Sequence, residues 1–415
     1  MLGAWGILAG LTLLALSLGL QASLMGVRAG IEGFPTEVTG LIMSGYPVGL
    51  LVGIALVPKL LPRVGHGQLF AVFTSLATCA LLAQASFAHP ALWGAMRVVV
   101  GFGYGGLLMI AEHWLSDHAP GKSRTRMLAI YLATGHVALL AGQALLLLGD
   151  PAEFELFSLA AVITSLGLVP ILAFARRTPK VTPSVHIGLW QLYRNSPLAS
   201  IAALGCGLSL GAMLWMAALY GSVVRLTNEE TCLLLGSFLL GALVLQWPVT
   251  RLARVMDRRA VMAIASFLAA FAGFGAVFVA VVYSKAGFFA CIGLMGGFSQ
   301  SLMGLALGHT SDRFEGTDAS AAGGSLMLML LIGTGAGALG AGFVMSPKVF
   351  GHNGLFLFVT FVHLLVGTYA LYRMARRSGL PASLQSPGPP LGPSASPMAV
   401  GTAAEALYQR FRSRG

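Results

Sequence analysis

The chain has 415 residues, 56% of them hydrophobic and only 9% charged, with a mean hydropathy of +0.82. Soluble domains carry about 25% charged residues, so an aqueous globule is excluded. The formal net charge of +11 raises nucleic acid or an anionic membrane as partner, and the placement of the charges decides between them.

Apolar runs, mostly of about 20 residues or more, have the length an α-helix needs to cross roughly 30 Å of hydrocarbon. Twelve are predicted, near residues 3–26, 36–58, 67–88, 91–113, 127–149, 153–175, 199–222, 231–250, 260–283, 286–309, 319–345 and 353–374. The alternation of membrane β-strands is absent, so the expected fold class is an all-α polytopic membrane protein. The first run lacks a basic n-region and is long for a signal peptide, and it is expected to be retained.

Of the 25 Lys and Arg residues, twenty lie on the side where the second, fourth and sixth spans end. Four lie opposite (Arg28, Arg225, Lys285 and Lys348), and Arg97 alone is inside a span. By the positive-inside rule both termini are expected in the cytoplasm. The basic balance reports topology and contact with membrane lipid, and no nucleic-acid partner is expected.

In chain order, span two runs out into "PKLLPRVGHG" and span eight into "TRLARVMDRR", each a short basic turn. Gly101, Gly103 and Gly106 in span four spell G-x-G-x-x-G. No strand precedes them, so they are read as a helix-packing face rather than a dinucleotide cradle. Span five contains "ALLAGQ" and span eleven "AGALGA", small residues at a spacing that lets helix backbones approach closely. The longest polar interval, 175–197, separates an N-terminal six-helix bundle (1–175) from a C-terminal one (199–375), with a cytoplasmic linker at 176–198. Residues 376–415 form a Pro/Gly/Ser-rich tail that cannot bury a core.

Six plus six spans around a cytoplasmic linker resembles the major facilitator superfamily. The turn motif G-x-x-x-D-R-x-G-R of that family keeps Arg63 and Gly65 here, but Pro58 and Pro62 stand at the Gly and Asp positions. Arg254 stands where the second copy has Asp, so the acid that helps latch this turn is missing from both halves. "RVVVGFGYGG" is similar to the span-four motif R-x-x-Q-G through Arg97 and Gly101. Within the superfamily the chain resembles the YcaD-like branch through Glu112, Trp114, Leu115, Arg124, Leu128, Tyr131, Gly142 and Gln143, and through Gln246-Trp247-Pro248. The resemblance implies a transporter of a bacterial inner membrane, with two pseudo-symmetric six-helix bundles and alternating access between them. A monomer with no cofactor is expected.

An intramembrane arginine such as Arg97 is costly and should face a cavity or partner. It is read either as a structural hub or as a group that binds an anionic solute or steers a proton. Polar and aromatic side chains near mid-membrane should line the central cavity. That selects Tyr46, Arg97, Tyr104, His136, Gln143, Trp215, Gln246, Ser299, Gln300 and Thr334, a set suited to a small organic solute, anionic or zwitterionic. No Asp or Glu lies near mid-membrane, which leaves Glu112, His136, His309 and His363 as titrating candidates. His363 is expected to be a neutral core histidine. His309 occupies the place in the second half that Glu112 has in the first. The fold that the resemblance implies brings the inner ends of spans four and ten together, so this pair is expected at a cytoplasmic gate. Metal ligation is not expected. The four cysteines stand singly (Cys79, Cys206, Cys232, Cys291), and Met109 with His113, or Met213 with Met216, falls short of a site. No nucleophile and base converge, so an enzyme is not expected. The primary expectation is a secondary transporter, proton-coupled or else a facilitative uniporter. A transition-metal carrier and a non-transporting receptor are the remaining alternatives.

Overall fold

The computed structural model describes residues 2–118, 122–174, 187–314 and 316–376. Most of the predicted linker, and the tail from 377 onward, lie outside the described residues.

The chain forms α1 (Leu2–Ile31), α2 (Thr36–Val64), α3 (His66–Ser86), α4 (Pro90–His118), α5 (Lys122–Ala144) and α6 (Glu155–Phe174). A short helix α7 (Leu189–Asn195) follows, then α8 (Pro197–Val223), α9 (Asn228–Leu252), α10 (Arg258–Tyr283), α11 (Lys285–Ser311), α12 (Gly316–Val344) and α13 (Gly354–Arg376). Twelve long helices thus stand where twelve spans were predicted, and α7 is an added turn inside the linker. Eleven of the twelve are long and apolar enough to cross a membrane. In α5 the apolar stretch found among the described residues is the shorter Ala133–Leu148.

Local chemistry sets several helix ends. The only residue between α2 and α3 is Gly65, at φ +89°, a conformation open to glycine and strained for other residues. Thr227 and Glu230 form a reciprocal capping box at the start of α9. Asp257 caps α10 by accepting from the Arg259 amide at 2.9 Å. Burial raises the Asp257 carboxyl, but its bonds with Arg259 outweigh this and hold it below the ordinary value.

Packing repeats between the two bundles. In the first, α1 packs on α5 and α6, α2 on α4, and α3 on α4 and α6. In the second, α8 packs on α12 and α13, α9 on α11, and α10 on α11 and α13. Gly142 of "ALLAGQ" lies against Leu16 and Gly19 of α1, and Gly337 of "AGALGA" against Leu208 of α8, which are corresponding pairs. Gly101 packs on the Tyr46 backbone, and Gly103 and Gly106 pack on Phe73, so the G-x-G-x-x-G run is a packing face. The turn after α9 is latched after all, with reversed polarity. Arg258 donates to Asp312 at the end of α11, at 2.5 Å, so the basic partner comes from the turn and the acid from the helix end.

The bundles meet through α1–α8, α2–α12 and α5–α9. The close contacts gather at one end, called distal here because it lies opposite the end where α1 begins and α13 stops. A methyl group on Gly40 (α2) would lie 2.8 Å from the Ala338 oxygen and 3.0 Å from the Gly342 Cα of α12. One on Gly26 (α1) would lie 2.7 Å from the Ala218 Cβ of α8. The Cys232 thiol donates to the Gln143 carbonyl at 3.2 Å, joining α9 to α5. The distal end is closed.

His363, fully buried on α13, ties the second bundle together. Its Nε2 lies 2.8 Å from the Ser209 hydroxyl of α8 and 2.9 Å from the Ser299 hydroxyl of α11. The Ser209 hydroxyl also donates to the Gly205 carbonyl of its own helix at 3.0 Å, so these groups are engaged within the second bundle. His363→Ala is expected to cost about 2 kcal/mol through the cavity and the lost bonds. Its apparent melting temperature should fall, while the pH profile of transport stays that of the parent.

Candidate solute-binding site

The site is built on one buried cation. Arg97 comes from α4, packed close on Gly45 of α2, where an added Cβ would lie 3.4 Å from the Arg97 Cβ. Arg97 is 0% exposed. Its guanidinium carbon lies 4.9 Å from the Tyr46 ring centroid and 4.6 Å from that of Trp215. The two rings are themselves 4.9 Å apart. Tyr46 belongs to the first bundle and Trp215 to the second, so the cation sits where the bundles meet.

The cation–π contacts leave the hydrogen-bonding capacity of the cluster unused. All three guanidinium nitrogens, the Tyr46 hydroxyl and the Trp215 indole nitrogen are buried without a hydrogen-bond partner among the described residues; elsewhere the same holds for both amide atoms of Gln143 on α5 and for the Gln21 Oε1. Each such group costs about 1–3 kcal/mol of desolvation, more when charged. A buried arginine normally spends its five donors. Here they stand beside two aromatic faces, an arrangement that can take an oxyanion and an adjoining flat apolar group.

One wall of the site is rigid. The Tyr104 hydroxyl receives a bond from the Gln21 amide at 2.9 Å and shares one with Thr164 at 3.0 Å. Ser17 joins Thr164 at 2.8 Å. This chain fixes Tyr104, whose ring lies 6.0 Å from Tyr46. Gln21 is the main residue that the sequence reading missed. As a lone amide in an apolar span it carried the same signal as Gln143.

The other selected residues divide. Ser299 is held by His363, Gln300 exchanges contacts with Cys206 of α8 (3.3 Å from its thiol), and the Thr334 hydroxyl bonds the Leu330 carbonyl of its own helix at 2.9 Å. These are tied within the second bundle. His136 on α5 and Gln246 on α9 are half-buried. Glu112 is buried and accepts a hydrogen bond from Tyr131 of its own bundle. His309 lies among Arg313, Asp312, Arg258 and Arg259 of the other bundle. Among the described residues, α4 and α11 share no packed face. No group of three or more His, Cys, Asp or Glu suited to a metal ion occurs among the described residues.

The sequence profile of the Major Facilitator Superfamily matches residues 1–286. The chain belongs to the major facilitator superfamily. Within it this transporter is YcaD-like. It is 25% identical over 392 residues to an Escherichia fergusonii protein named an uncharacterized MFS-type transporter YcaD, covering 91% of this chain and 97% of that one. A Shigella sonnei relative of the same name is 26% identical over 372 residues, covering 87% and 94%. Solved structures share the fold at low identity. The nucleoside transporter NupG superposes with a TM-score of 0.73 at 11% identity, covering 90% of this chain and 99% of that one. A D-xylose-proton symporter superposes with a TM-score of 0.63 at 14% identity, covering 88% and 97%. This facilitator protein is a membrane transporter, not an enzyme.

Proposed function

We propose that this transporter moves a small organic anion or zwitterion by alternating access, with Arg97 as the group that binds the solute's negative charge. The observation that carries the proposal is the fully buried Arg97 guanidinium between Tyr46 and Trp215, with no hydrogen-bond partner among the described residues. A carboxylate there would accept two parallel N–H bonds, and rocking of the bundles about the site would expose it to either side. The nucleoside and xylose transporters sharing this fold move small organic solutes, which supports the size class. Lys and Arg crowd the end that holds the chain termini, which supports assigning that end to the cytoplasm. The distal closure described above then corresponds to a state facing inward.

Proton coupling is assigned to Glu112, a buried carboxylate at the inner end of α4, bonded by Tyr131. His309 is its partner when the inner ends of α4 and α11 come together. Their separation in the state with the distal end closed supports this order of events. The test begins with thermal-shift screening of purified protein against metabolites and continues with uptake into proteoliposomes. Stabilising ligands that are all cations would sink the anion assignment. Glu112→Gln is expected to slow uptake driven by a proton gradient at least tenfold while sparing exchange without a gradient. Equal uptake by variant and parent across the pH range would remove Glu112 from the coupling.

A further inference from the structure

At the end opposite the distal closure, the second bundle carries a basic cleft unrelated to the Arg97 site. It is lined by Pro197 and Leu198 at the start of α8, Arg259 of α10, His309 and Arg313 of α11, and Arg373 of α13. Among the described residues, three guanidiniums and no carboxylate line it. Two acids pair with arginines beside it, Asp257 with Arg259 and Asp312 with Arg258. The Arg313 Nη1 is anchored to the Asn195 carbonyl at 2.9 Å, which fixes its plane against α7.

The helix that opens into the cleft adds to this field. α8 is 27 residues long and begins with Pro197 at its first turn. Its Ser196 cap makes no side-chain bond to the first turn, and the Ser196 hydroxyl is fully buried without a hydrogen-bond partner. A helix start of this kind presents about half a positive charge and free amide donors. Beside Arg373 on α13, Leu371 and Tyr372 are about half exposed, at 49% and 52%. The cleft therefore has exposed apolar side chains on the helix that carries Arg373.

We propose that this cleft binds a phosphate group, held by Arg259, Arg313 and Arg373 over the start of α8. Planar guanidiniums pair with phosphate oxygens through parallel N–H bonds, and a helix start favours the same charge. The phosphate belongs either to an anionic phospholipid reached along α13 or to a soluble phosphate. Bound there, it joins the ends of α8, α10, α11 and α13 and offsets the repulsion among their arginines.

The test uses delipidated full-length protein in an uncharged detergent, followed by its apparent melting temperature. One arm titrates sodium phosphate against sodium chloride at constant ionic strength. The other adds mixed micelles containing phosphatidylglycerol, with phosphatidylcholine as the comparison. A saturable rise with phosphate identifies a soluble ligand, and a rise confined to phosphatidylglycerol identifies the lipid. In either case Arg373→Gln should raise the half-saturating concentration about tenfold, as expected for one charged hydrogen-bonding partner, and Arg373→Lys should recover part of the loss. Arg376→Gln, which removes a charge stacked on Tyr372 outside the cleft, should behave as the parent. Should Arg373→Gln fail to accumulate, Arg313→Gln reads the same loss. No rise in either arm, or an equal loss in Arg376→Gln, overturns the proposal.

Discussion

Arg97→Gln is expected to lower solute uptake about 100-fold, equivalent to roughly 3 kcal/mol of lost charge-assisted binding, while the purified protein melts no lower than the parent. Both halves of this result matter. An arginine serving as a structural hub would be bonded to carbonyls, and its removal would strand them and destabilise the fold. Arg97 instead carries three nitrogens without hydrogen bonds, at 0% exposure, between Tyr46 and Trp215. A neutral amide relieves the desolvation of an uncompensated charge, so stability should hold or rise as transport falls. Arg97→Lys should remain poor, because an ammonium is a point charge without the planar fork. Ligands that stabilise the parent in a thermal-shift assay should leave Arg97→Gln unmoved. A variant that melts much lower yet transports at the parental rate would make Arg97 a structural hub.

Gly40→Leu is expected to lower uptake at least tenfold by opposing distal closure. Gly40 meets Gly342 where α2 and α12 touch, and even a methyl group there would lie 2.8 Å from the Ala338 oxygen. Overpacking of this kind costs about 1–3 kcal/mol. The cost falls only on the state in which the distal ends touch, so populations shift by roughly 5- to 150-fold away from it. Paired spin labels on the distal loops, one in each bundle, should report longer distances in the variant than in the parent. Gly94→Leu is the control, since a Cβ added at Gly94 would meet nothing within 4 Å, and it should transport normally. Normal uptake by Gly40→Leu would show that the α2–α12 contact is not part of the transport cycle.

Much of the architecture was legible in the sequence because a bilayer allows few solutions. Backbone groups must be satisfied inside each span, so a run of about 20 apolar residues becomes a helix wherever it occurs. The twelve long helices and the twofold echo of glycine faces at Gly142 and Gly337 follow from that. So does the cost of Arg97, because charge inside a span is conspicuous without any knowledge of neighbours.

Partners were a different matter. The sequence marked Tyr104, Ser299, Gln300 and Thr334 as alike, since each is polar at mid-membrane, but their bonds to Gln21, His363, Cys206 and Leu330 tie them into the bundle walls. It passed over Gln21, and it saw an unlatched turn where Arg258 meets Asp312. Composition and periodicity determine that a residue is inside and on which helix. Only the packing of one helix against another decides whether its polar atoms are spent on the fold. Arg97 and Tyr46 reach Trp215 across more than a hundred residues of chain, and that meeting depends on how the two bundles dock, which no local pattern encodes.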